Sequence, residues 1–112
     1  MYTAAKLTVI TAALAAVTAV TAMNPAGAAE RHVVEIVKLK FVPAQLEVAP
    51  GDTIVWINKD FVPHTITAAD NSWDSGTMEK SSEWQTTVRS GMPSDYFCRF
   101  HPAMKARFNI MQ

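Results

Sequence analysis

Thr53-Ile54-Val55-Trp56-Ile57-Asn58, entered through Pro50-Gly51-Asp52, is the stretch that decides the fold. Proline presets φ and glycine accepts positive φ, so Pro-Gly-Asp marks a tight turn. Beyond it, Ile54 and Trp56 fall on one face of an extended strand and Val55 and Ile57 on the other. Both faces are apolar, which predicts a central strand. Upstream, His32 to Lys40 (HVVEIVKLK) is rich in β-branched residues. It predicts one strand that ends at Phe41-Val42-Pro43, where proline denies the ladder a donor. Leu46 and Val48 alternate before the turn. Downstream, Lys59-Asp60 reads as a turn and HTITA (residues 64–68) as a short strand. Ala69 to Ser82 is polar and turn-prone, and is expected to cross the surface as a loop. WQTTV, SDYFC and ARFNIM supply the remaining strands, with Gly91-Met92-Pro93 turning the chain and RFHPAMK (99–105) joining the last two. No stretch past residue 28 keeps a helical period. The expectation is all-β: a Greek-key β-sandwich or barrel of about seven to eight short strands.

The chain has 112 residues, enough for one domain. Ten Lys and Arg balance ten Asp and Glu, so nothing points to electrostatic capture of nucleic acid or anionic lipid. A hydrophobic fraction of 49% against 18% charged argues against disorder. The first 28 residues differ from the rest. Lys6 is the only charge before Glu30, and LTVITAALAAVTAV is followed by a break at Asn24-Pro25 and by Ala26-Gly27-Ala28. A basic start, an apolar run and a small-residue end predict a cleavable export signal, residues 1–28, cut after Ala28. A retained span is the alternative reading, but the run is rich in Ala and Thr and broken by Asn-Pro. A lipoprotein anchor needs a cysteine at the cut, and there is none. Cleavage predicts a periplasmic domain, residues 29–112, with no stable membrane anchor. Losing Lys6 leaves nine basic against ten acidic residues, a net charge of −1. So small a domain hides only about 60–65% of its unfolded surface, and a bound metal is an expected stabiliser.

The single cysteine excludes an internal disulfide framework and a zinc site built on several thiolates. It lies in Cys98-Arg99-Phe100-His101-Pro102-Ala103-Met104, where thiolate, imidazole and thioether follow at intervals of three in an inter-strand loop. A second imidazole, His64, opens an earlier strand after Pro63. Singly, each has an ordinary reading: a buried thiol, an unremarked imidazole, a core methionine. Together they offer two nitrogens, one thiolate and one weak sulfur, a soft set suited to copper cycling between Cu(I) and Cu(II). With no position left open for a substrate, the set suits electron transfer and not catalysis. No oxyanion-hole motif or orienting carboxylate supports Cys98 and His101 as nucleophile and base.

The sequence from Val34 to Met111 resembles the cupredoxins, the small blue-copper proteins, within their amicyanin, pseudoazurin and plastocyanin branch. The motifs are Phe41-x-Pro43, Leu46-x-Val48, Gly51-Asp52-Thr53-Ile54-x-Trp56-x-Asn58, Pro63-His64-Thr65 and Tyr96-x-Cys98-x-x-His101-Pro102-x-Met104. The tight final loop is most similar to that of amicyanin. The resemblance implies one mononuclear type 1 copper, with His64, Cys98 and His101 as strong ligands and Met104 as the axial one. It also implies a monomeric electron carrier whose His101 edge meets redox partner proteins through Val62, Pro63, Phe100, Pro102 and Ala103. A dehydrogenase donor and a c-type cytochrome acceptor are the partners implied. Copper storage or delivery is the alternative role; it favours exposed Met-rich segments, which this chain lacks. Three departures stand out: Thr65 where relatives carry Asn, Arg99 directly after the cysteine, and Lys105-Ala106 where Gly is common. The Arg99 charge is expected to favour Cu(I) and raise the potential.

Overall fold

In a computed structural model of the chain, the structure describes residues 28–112. The expected export signal, apart from Ala28 at its end, lies outside the described residues. Eight strands form: β1 (Arg31–Val37), β2 (Lys40–Val42), β3 (Gln45–Val48), β4 (Thr53–Asn58), β5 (Thr67–Ala68), β6 (Glu83–Thr87), β7 (Asp95–Phe97) and β8 (Lys105–Ile110). They make two four-stranded sheets, ordered β2-β1-β4-β6 and β3-β8-β7-β5. β1–β4 and β3–β8 are parallel and the other pairings antiparallel, so the all-β sandwich expected from the sequence is the fold.

The strand over residues 53–58 lies between β1 and β6, and Ile54, Val55 and Trp56 are all buried, as two apolar faces require. Trp56 sits at the centre of an aromatic cluster, edge-on to Tyr96 at 5.5 Å and beside Trp84 at 5.4 Å. Phe41 closes the other side of Tyr96 at 4.9 Å.

Two expectations change. The strand predicted over His32 to Lys40 is a hairpin, turned at Lys38 and Leu39, whose φ values are 51° and 60°. Left-handed backbone costs a residue with a side chain about 1–2 kcal/mol. The Asp60 carboxylate offsets this by accepting the amides of Lys38 (2.6 Å) and Leu39 (2.9 Å). Bonds to a charged acceptor contribute about 1.5–3 kcal/mol each, nearer the lower figure where solvent reaches them. The segment from Ala69 to Ser82 is also more than a surface crossing. Trp73 packs on the core and donates Nε1–H to the Pro93 carbonyl at 2.9 Å, and Met78 is buried. Positive φ at Asn71 and Gly76 turns the chain so that both residues point inward.

Candidate metal centre

The site forms where β4 ends, at the pole of the sandwich to which β1 and β4 both run. β4 ends at Asn58, whose fully buried side chain holds the loop that follows. Asn58 Nδ2 donates to the carbonyls of Val62 and Met78 (both 3.0 Å), while its Oδ1 accepts the Asp60 amide at 2.9 Å. His64 then exchanges two backbone hydrogen bonds with Met78, at 3.1 and 2.8 Å. His64 itself is fully buried.

The orientation of that ring follows from its partners. His64 Nε2 lies 2.8 Å from Asp60 Oδ2, so the carboxylate holds the proton there and turns Nδ1 inward as a lone-pair donor. Burial pushes the Asp60 carboxyl up, but the Leu39 and Lys38 amides and the His64 ring outweigh it, and its pKa falls below the usual value. Nδ1 faces Cys98 Sγ at 3.7 Å. Metal–sulfur and metal–nitrogen bonds of about 2.3 and 2.0 Å, opened at trigonal or tetrahedral angles, set donors about 3.5–3.7 Å apart. The pair fits one shared ion.

β5 pairs with β7, which brings the His64 and Cys98 segments side by side. Cys98 is fully buried, and its loop is closed by its own backbone: His101 N donates to Cys98 O, Met104 N to His101 O, and Cys98 N to Met104 O. Met104 is buried beneath the loop and the His101 ring is half-buried, its centroid 5.1 Å from that of His64. His101 stands furthest out. Among the described residues, the trio of His, Cys, Asp or Glu donors that meets within 4.8 Å is Glu30, His32 and Asp52, at the opposite pole. The structure brings His64 and Cys98 together, with His101 beside them at the surface. The distant trio has another task. Asp52 spends its oxygens on the Glu30 amide, the Ala49 amide and His32 Nε2, pinning β1 to the turn before β4.

Thr65, which stands where relatives carry Asn, bridges the two segments. Its amide donates to Cys98 Sγ at 3.3 Å and its hydroxyl accepts the Arg99 amide at 2.8 Å, so it ties both ligand segments together. The hydroxyl passes its own proton to Thr67, which donates to Asp74 Oδ1. Arg99 closes the circuit by pairing with Asp74 Oδ2. Arg99, expected to place a positive charge beside the Cys98 sulfur, is thus paired with a carboxylate. Asn58 signalled nothing beyond its place in a motif, and Asp60 read only as a turn. The spacing Asp60-x-x-x-His64 was the available signal.

Of the five residues expected around His101, Val62, Pro63, Phe100, Pro102 and Ala103 are all exposed. Phe61, missed from sequence, is the most exposed large apolar residue at 85%, its ring covered by Lys80 Nζ at 3.6 Å.

Known proteins share this arrangement. The family described as copper binding proteins, plastocyanin/azurin family, matches residues 28–110. Amicyanin of Paracoccus denitrificans is 30% identical over 106 residues, covering 87% of this chain and 81% of that protein. Amicyanin-alpha of Methylorubrum extorquens is 26% identical over 88 residues, covering 74% and 71%. A Cu(I) structure of an amicyanin variant superposes with a TM-score of 0.66 at 28% identity, covering 72% of this chain and 82% of that one. A buried thiolate facing an imidazole in an all-β sandwich, matched over nearly the whole described chain, has one reading: the protein belongs to the plastocyanin/azurin family of copper-binding proteins and takes one copper ion.

Proposed function

We propose that the protein carries single electrons in the periplasm, exported by residues 1–28 and working through one type 1 copper held by His64, Cys98, His101 and Met104. The observation that carries this reading is the buried Cys98 Sγ, 3.7 Å from His64 Nδ1 and hydrogen-bonded by the Thr65 amide. The copper supplies the Cu(I)/Cu(II) couple. The chain's own part is to hold the donors still, so that little rearranges when an electron arrives. Asp60 fixes the His64 ring, Thr65 fixes the thiolate, and the Cys98–Met104 backbone bonds fix the loop. His101 brings the site to the surface. Exposed Val62, Pro63, Phe100, Pro102 and Ala103 give a small apolar face for redox partner proteins, a dehydrogenase as donor and a c-type cytochrome as acceptor. A patch of that size suits rapid release from a monomeric carrier. Storage or delivery fits less well: Met78, Met92 and Met104 are buried, and Met111 alone among the described methionines is well exposed.

The test is a visible spectrum. One equivalent of Cu(II) added to the protein gives an intense blue thiolate-to-copper band, and Cys98→Ser abolishes it. A folded protein that stays pale with Cu(II) overturns the reading.

A further inference from the structure

The five lysines of the described residues all gather at one place. Lys38 opens the turn whose amides bind Asp60, the partner of His64. Lys59 precedes Asp60 in the loop that leaves β4. Lys80 lies over Phe61, while Lys40 and Lys105 line the cleft that holds Phe100, His101 and Met104. Each is exposed. Nothing in local sequence demands this, since the lysines come from four separate segments between residues 38 and 105.

The arginines do not share the pattern. Arg31 starts β1 and Arg89 follows β6, both at the far pole, while Arg99 pairs with Asp74 and Arg107 with Asp95. Two of the carboxylates at the copper pole are engaged by other groups. Asp60 is bound to two amides and His64, Asp74 to Arg99, and Glu79 stands beside Lys80. Six cations thus lie at the pole with Asp60, Asp74 and Glu79, and exposed Glu35 and Glu83 stand one position back, level with Ile57. Residues 28–112, of net charge −1, present the metal site inside a positive collar. At the collar's centre lie Phe61, Phe100, Val62 and Leu39, exposed by 85, 49, 43 and 47%. An apolar core with a charged rim is the anatomy of a docking face, and the rim sets encounter rate and partner choice more than affinity.

We infer that the redox partner is a protein with an acidic rim around an apolar electron-entry face, recognised by the collar of Lys38, Lys40, Lys59, Lys80 and Lys105. This rests on the electron-carrier reading and names the partner's chemistry. In each encounter one electron leaves Cu(I) for the partner's oxidised centre, giving Cu(II) and the reduced partner, with no proton or other reactant needed.

Two cytochromes c of opposite surface charge test it: the native basic protein and its fully succinylated, acidic derivative, each in the ferric state. The copper-loaded Cu(I) protein is mixed with each by stopped flow across a range of ionic strength. The succinylated form is expected to react with a rate that falls about tenfold or more from low to high salt, the native form with a rate that rises, since screening removes steering and repulsion alike. Lys40→Glu with Lys59→Glu flattens both slopes and leaves the visible spectrum intact. Slopes that follow the net charge, or none, overturn the collar while electron transfer itself stands. Sedimentation with vesicles of anionic phospholipid, without preference between the cytochromes, assigns the lysines to a membrane surface and overturns it too. Copper-loaded protein that reduces neither cytochrome nor ferricyanide overturns the carrier reading instead.

Discussion

The two poles of the sandwich each carry an aspartate–histidine pair, and the pairs look alike. Asp52 Oδ2 lies 2.8 Å from His32 Nε2, and Asp60 Oδ2 lies 2.8 Å from His64 Nε2. Both carboxylates also accept two backbone amides, and both are held below their ordinary pKa against the opposing push of burial. Yet one pair fastens a strand and the other turns an imidazole toward the Cys98 sulfur. The difference lies at the far side of the ring. His64 is wholly buried with Nδ1 facing a thiolate, whereas His32 keeps some solvent contact, with Glu30 and Asp52 for neighbours. A carboxylate orients an imidazole; what the other nitrogen meets decides what the imidazole is for.

Exchanging the histidines breaks the comparison most sharply. His64→Ala is expected to lose the blue band and to lower Cu(II) affinity by more than the about 100-fold that loss of a positioning partner costs. His32→Ala keeps the band and loses only stability. A Cu(II) titration followed by absorption separates them, and equal losses would remove the distinction between the poles.

The aspartates give the next largest effect. Asp60→Asn should weaken copper by about 10–100-fold, because the His64 ring loses its charged partner. Asp52→Asn should leave copper binding unchanged and alter the response to acid. A carboxyl whose pKa is depressed on folding adds stability that is fully present above its unfolded value, near 3.8, and is lost as pH falls through the lower folded value. Melting temperatures between pH 6 and pH 2.5 should therefore fall less steeply in Asp52→Asn than in the parent. Parallel curves would sink the clamp.

The smallest effect sharpens the copper pole itself. Asp74→Asn leaves the Arg99 cation unbalanced near the thiolate, which favours Cu(I). The potential should rise by tens of millivolts, on the order expected for one charge screened by water. Cyclic voltammetry reads it, and an unchanged potential would mean solvent already cancels the Arg99–Asp74 pair, whose arginine is 51% exposed.

How much of this was legible varies with the range of the interactions. The strand over residues 53–58 was readable because its two apolar faces and its preceding turn are local. Cys98, His101 and Met104 were readable as a set because one loop carries them, and His64 because β5 needed only to pair with β7. The hairpin at Lys38 and Leu39 was not. Those residues carry no left-handed preference, and the carboxylate that stabilises them comes from a position 21–22 residues away. Trp73 and Met78 were hidden the same way, as apolar residues spaced among turn formers.

The amino-acid sequence by itself determined an all-β chain of a copper-binding family, because β-strand patterning and the Cys98-x-x-His101-x-x-Met104 spacing act over a few residues. Tertiary structure alone decided which aspartate turns which histidine, what neutralises Arg99, and that lysines from four segments meet around one face. Those depend on groups distant in the chain arriving at hydrogen-bonding or Coulombic range, and only the packing of the two sheets sets those distances.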